Sequence, residues 1–200
     1  MSSRIMIVEL ANAPPDELDK EARGIVEQLN ERGVERVARY RKLNESLSIV
    51  LAEFPEDGGS PANLSFQPKG AGITAKLTTA TAQAERRRED TGNDPRDAPI
   101  LYCVGFPVPD DREAELARWY DEEHMELLQR SSYWAMTRRF RVDPGASSAW
   151  GRHLALHYLN DIKGLRSPER DYARHTPWRL ELGSESWFKG NYSVYLQELP

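Results

Sequence analysis

The stretch over 85–99 carries Arg86-Arg87-Arg88 and then Glu-Asp-Thr-Gly-Asn-Asp-Pro-Arg-Asp-Ala-Pro, and is charged, turn-rich and almost free of apolar side chains. Such a composition has little to bury and reads as a linker. It divides the 200-residue chain near its middle, and the same order of elements is predicted on either side of it. Internal repetition of this kind constrains the fold more than any single motif. In the first half, 1–84, a strand over 4–11 leads to a helix opened by Pro14-Pro15-Asp16 and closed by Gly33, the usual placing of Pro at the start and Gly at the end. Strands over 34–43 and 47–54 follow, then a Gly- and Pro-rich loop over 55–72 and a last strand over 73–82, where Thr and Ala alternate. In the second half, 100–200, a strand over 100–108 leads to a helix over about 112–130 and a strand over 133–142. The Asp143-Pro144-Gly145 turn precedes a strand over 153–160, a helical patch over 168–174 and a strand over 192–199. Strand, helix, strand, strand, short helix, strand is the ferredoxin-like pattern. The predicted fold class is α+β, with two tandem ferredoxin-like units whose antiparallel sheets cover each other. An uncovered apolar sheet face would be an association surface, so closure is expected either within the chain or in a homodimer.

Composition narrows the function. With 39% hydrophobic and 30% charged residues, the chain can bury a core. Its longest apolar runs are about nine residues, against the roughly 20 a helix needs to cross a bilayer, so no membrane partner is expected. The start reads as a strand interrupted by Glu9, not as a signal peptide, which points to the cytoplasm. Cys103 is the sole cysteine, so there is no disulfide framework or cysteine-based metal site. A net charge of −5 with mixed signs argues against a nucleic-acid partner. A small-molecule substrate fits what remains. All four histidines, all five tryptophans and seven of the eight tyrosines follow the linker. A pocket, built from aromatic walls and a few titratable groups, is therefore expected in the second half, with the first as scaffold.

On the second-half helix, Leu116, Trp119, Tyr120, Glu123, His124, Leu127 and Leu128 form one stripe at spacings of three and four. An unpaired polar group on a buried face costs about 1–3 kcal/mol, so Glu123 and His124 are either hydrogen-bonded in the packing or line a wet cavity. In the second case His124 is a general acid or base. Asp121 and Glu122 are expected to face solvent. On the later strand His153, Ala155, His157 and Leu159 share one face, with Leu154, Leu156 and Tyr158 on the other. His153 and His157 lie about 13 Å apart at a rise of about 3.3 Å per residue, too far to share a metal, and no metal is expected. Arg138 shares a face with Trp134, and Arg139 with Tyr133 and Thr137. Either arginine is a substrate clamp or a structural ion pair. His175 and Trp178, on the loop before the last strand, are a pocket lid or an edge plug. No phosphate-binding glycine loop or nucleophile elbow occurs, so no nucleotide cofactor is implied.

The run Trp119-Tyr120-Asp121-Glu122-Glu123-His124 resembles the dimeric α/β-barrel superfamily and, within it, the EthD-like proteins. The resemblance continues through Tyr133-Trp134, Arg138-Arg139-Phe140-Arg141-Val142, His153-Leu-Ala-Leu-His-Tyr and Ala173-Arg174-His175-Thr176-Pro177-Trp178. The first half resembles a degenerate copy that lacks the helix histidine. The resemblance implies a cofactor-independent lyase or isomerase acting on a small aromatic or polyketide-like oxygenated molecule. His124 would move the proton, with Tyr120, His157 or an arginine at the oxyanion. Glu123, Trp119, Trp134, Arg138, Arg139, Tyr158, His175 and Trp178 would contact substrate. The superfamily also hosts haem chemistry and cofactor-free oxygenation, and a non-catalytic binding or assembly role is the remaining alternative.

Overall fold

Aliphatic runs such as Ile5-Met6-Ile7-Val8 and Ile49-Val50-Leu51-Ala52 become fully buried strands, because side chains of this kind pack on a pleated surface covered on both faces. The computed structural model describes residues 3–55, 64–89, 92–145 and 150–198. It contains strands β1 (Arg4–Ala11), β2 (Arg36–Lys42), β3 (Leu47–Phe54), β4 (Thr74–Arg87), β5 (Ile100–Phe106), β6 (Trp134–Val142), β7 (His153–Leu159) and β8 (Asn191–Glu198). They hydrogen-bond in the order β1-β3-β2-β8-β5-β7-β6-β4, and β4 returns to β1, so the ladder closes within one chain. The described registers are antiparallel, Ile7 facing Leu51 on β3 and Thr78 on β4, for example. The fold class is the expected α+β arrangement of ferredoxin-like repeats.

The chain forms two compact units, one of residues 3–55, 64–82, 141–145 and 194–198, the other of 83–89, 92–140 and 150–193. The unit boundary differs from a cut at a central linker, because the chain expected to be a linker from Glu85 begins as strand. β4 runs on to Arg87, and Arg88 N–H donates to the Ala135 carbonyl at 3.1 Å. Backbone pairing holds this polar segment, and hydropathy cannot see it.

In the first unit, α1 (Pro15–Glu31) has Pro at its first turn with Asp16 and Glu17 beside it, and ends before Gly33 at φ 70°. Leu18, Ala22, Ile25 and Leu29 pack on Met6, Val8, Leu10, Val50, Ala52 and Phe54. Asp19 of α1 pairs with Arg39 of β2, which also lies 3.6 Å from Glu198.

In the second unit the helix expected over 112–130 is not uniform. It consists of α2 (Glu113–Trp119), a π-helical turn Tyr120–His124 and α3 (Met125–Gln129). Met125 N–H donates to the Tyr120 carbonyl, five residues back instead of four. Ser167 caps α4 (Pro168–Ala173), and Thr176 caps α5 (Pro177–Ser184), its hydroxyl accepting from Arg179 N–H at 3.2 Å. The α5 segment was expected to be loop. Only Leu182 of α5 is buried, so no apolar period announces the helix.

Close backbone packing fixes the end of β5. A Cβ on Gly105 would lie 2.1 Å from the Trp150 carbonyl oxygen, and Gly151 at φ +73° would press a Cβ 2.5 Å from the Phe106 oxygen. We expect Gly105→Ala to destabilise the protein by about 1–3 kcal/mol. Gly24→Ala, in mid-α1 with nothing within 4 Å, should stabilise by about 0.5–1 kcal/mol. Urea midpoints at unchanged m-value check both.

Candidate functional site

Alternation on β5 points Tyr102, Val104 and Phe106 to one side, where they wall a cavity of about 80 Å³ in the second unit. Tyr102 sits directly across the ladder from His157 of β7, and the two rings stack at 5.5 Å between centroids and 26°. The Trp134 ring meets His157 edge-on at 5.0 Å, while its Nε1–H donates to the Gly164 carbonyl at 3.3 Å. His157 Nδ1 lies 2.9 Å from the buried Thr137 hydroxyl. Burial drives the His157 pKa well below the usual imidazole value, helped by His124 and the Arg170 charge.

The π-helical turn supplies the opposite wall. Trp119 stacks on His124 at 4.2 Å and 23°, and Tyr120 meets His124 edge-on at 5.2 Å. One oxygen of Glu123, Oε1, accepts both the Trp119 indole N–H at 3.1 Å and the Thr176 hydroxyl at 2.7 Å. His124 Nδ1 is buried with no hydrogen-bond partner. Burial lowers the His124 pKa to about 3, the charges of Arg179 and Arg170 push the same way, and a hydrogen bond with the Ala173 backbone opposes them. Burial raises the Tyr120 pKa, so the phenol is protonated at neutral pH.

Arg170 within α4, Arg174 four residues on just beyond its end, and Arg179 of α5 complete the lining. Arg170 donates to the Leu165 carbonyl at 2.6 Å and to the Tyr102 hydroxyl at 3.5 Å. Arg179 lies 4.4 Å over the Phe188 ring. Among the described residues no carboxylate lines the cavity. Among the described residues no group of three or more His, Cys, Asp or Glu is placed to hold a metal ion.

Of the residues singled out in the sequence, His124, Tyr120, His157, Trp119 and Trp134 meet at this cavity. Glu123 does not line it: its carboxylate is spent on the clamp. Arg138 lies 3.2 Å from Glu85 and over the Phe140 ring, and Arg139 holds Asp121 through two hydrogen bonds of 2.8 and 3.3 Å. Both arginines therefore take the structural alternative, and Asp121 is engaged instead of simply solvated. Tyr158 is fully buried on the face of β7 opposite His157. His175 is exposed with Nδ1 2.7 Å from the Asp171 carbonyl, and Trp178 carries the Arg118 guanidinium 5.5 Å over its ring, outside the cavity. The sequence reading missed Tyr102, Arg170, Arg174 and Arg179. The i, i+4 spacing of Arg170 and Arg174 in the helical patch was the available signal.

No family model matches the chain, and no curated protein matches it. Solved structures do. An anthrone oxidase-like protein is similar at 10% identity and TM-score 0.63, the match covering 98% of this chain and 92% of that one. A ferredoxin-fold protein related to antibiotic biosynthesis monooxygenases, from Listeria monocytogenes 4b F2365, gives 8% identity and TM-score 0.57 over 98% and 96%. A heme-degrading enzyme from Listeria monocytogenes gives 6% identity and TM-score 0.54 over 97% and 99%. At these identities the likeness is one of fold.

The low His124 pKa links stability to pH. The unfolded chain takes up a proton on this residue near pH 6.5, while the folded protein resists until about pH 3. The contribution is thus complete above pH 6.5 and is lost as pH falls toward 3. Between pH 7 and pH 4 wild type should lose about 3 kcal/mol more than His124→Gln. Denaturant titrations at the two pH values check this, and equal losses would remove the assignment.

Proposed function

We propose that the protein is a cofactor-free enzyme that removes a proton from a small oxygenated molecule, with His124 as base. The observation that carries this reading is an unpartnered buried imidazole nitrogen beside an aromatic cavity that holds three guanidinium groups and, among the described residues, no carboxylate. A neutral imidazole accepts a proton from carbon next to a carbonyl, or from a phenol. Arg170 and the Tyr102 hydroxyl it contacts then face the developing oxyanion, where charge-assisted donors in a dry site act strongly. Trp119 and Glu123 position the ring.

Lyase, isomerase and oxygenase chemistry share this first step and differ in what the carbanion meets next. The oxidase and monooxygenase names of the similar structures support dioxygen, by which a CH2 group becomes C=O and the second oxygen atom leaves as water. Haem does not fit this cavity. At about 80 Å³ it is far below the roughly 300–1,000 Å³ of sites for drug-sized ligands, so no step passes through haem. The same volume admits a carbonyl-bearing fragment and excludes a multi-ring polyketide, with the rest of the substrate lying toward exposed Arg174.

The test is deuterium exchange of acetylacetone, acetoacetate and acetoacetamide followed by proton NMR, with an oxygen electrode in parallel. Wild type should accelerate exchange, and His124→Gln should lower the rate about 100-fold or more with an unchanged circular dichroism spectrum. Exchange no faster than buffer, or full activity of the variant, would overturn the reading. Oxygen uptake separates an oxygenase from a lyase or isomerase.

A further inference from the structure

We infer that Arg174 and Arg179 form a carboxylate subsite at the cavity, which makes the substrate a small oxo acid, carrying a carboxylate as well as the acidic C–H or O–H. The inference rests on the proton-transfer reading for the reacting carbon, but its own support is separate. Several arginines of this unit are matched with acids. Arg112 binds Glu115 and Glu185, Arg118 binds Glu122, Arg130 binds Glu126, Arg139 binds Asp121, and Arg152 binds Asp110 and Glu113. Arg86, Arg87 and Arg166 have no acid partner among the described residues, and neither do Arg170, Arg174 and Arg179, which are the three that line the cavity. Arg170 spends donors on a neutral carbonyl and a phenol, and Arg179 rests on the Phe188 ring.

Glu169 and Glu181, close in sequence, are not among the residues lining the cavity, and two further acids are engaged elsewhere. Asp171 faces His175, and Glu185 is held by Arg112. Burial lowers the Arg179 pKa, and the charge of Arg174, which lines the same cavity, pushes the same way. A partly buried guanidinium beside a like charge is costly, and a bound anion would offset that repulsion. Two planar forks match a carboxylate in two-point geometry, which a lone ammonium would not. With Arg170 facing the oxyanion, a substrate with two anionic points meets three positive groups, so the charges fit.

Acetoacetate and its neutral counterpart acetoacetamide test the subsite, with binding read from tryptophan fluorescence, since Trp119 and Trp134 line the cavity. Wild type should bind acetoacetate at least tenfold more tightly. Arg174→Gln/Arg179→Gln should bring the two to parity with amide binding unchanged, while His124→Gln should keep the preference. Equal binding in wild type, no binding of either, or a preference that survives the double substitution would each overturn the subsite. If wild type shows the preference but catalyses no exchange, the anion subsite stands and the proton-transfer reading falls.

Discussion

The arrangement of the second unit turns on one carboxylate oxygen. Glu123 Oε1 accepts from Trp119 on one side and Thr176 on the other, and so ties the π-helical turn to the start of α5. The first bond sets the plane of the indole on which His124 stacks. The second fixes the helix that carries Arg179. The extra residue in the turn, visible in the Met125-to-Tyr120 bond, widens it so that two aromatic rings pack around the imidazole while Glu123 reaches outward. An insertion of this kind weakens the local backbone ladder and persists where side-chain contacts repay it.

The strands and the helix ends were legible, because alternation, aliphatic runs, Pro14-Pro15 and Gly33 are local signals with local causes. So was the cluster of His124, Tyr120, Trp119 and His157, since polar groups interrupt otherwise apolar faces there. What was not legible depends on partners distant in sequence. Nothing near Glu123 shows that Thr176 will claim it. Nothing near Arg139 shows that Asp121, 18 residues earlier, will bind it and take it out of the site. The end of β4 was hidden for a related reason: its residues from Gln83 on are polar and held by main-chain pairing. The weak apolar period of α5 concealed a helix, and with it Arg179.

The two repeats share one ion pair. Asp19 of α1 meets Arg39 of β2, and Asp121 of the π-helical turn meets Arg139 of β6, each joining a helix to the second strand of its repeat. Around this common brace the repeats diverge by side-chain size. Where the second helix carries Trp119, Tyr120 and His124, the first carries Ala22, Ile25 and Leu29, which pack directly on β1 and β3. The first repeat is an apolar core and the second surrounds a small void. The brace differs too: in the first unit Glu198 joins Asp19 around Arg39, and burial with the neighbouring carboxylate raises its pKa.

The charges around that void bear on how a histidine of low basicity would serve as the proposed base. Without ligand, a proton on His124 would join Arg170 and Arg179 in a dry space, and those two charges are among the causes that hold its pKa near 3. An anion placed between the guanidinium groups cancels the field that opposes protonation. The basicity of His124 therefore rises as the ligand enters, and linkage requires that protonated His124 bind the anion more tightly by the same factor. In the proposed reaction, proton acceptance and oxyanion formation would be two halves of one charge separation, imidazolium against enolate, with the arginines on the enolate side. A permanently basic imidazole in this position would be protonated beforehand and useless as an acceptor. Burial first, and the arginines with it, thus keep His124 in the free protein in the neutral form that the proposed proton transfer would need.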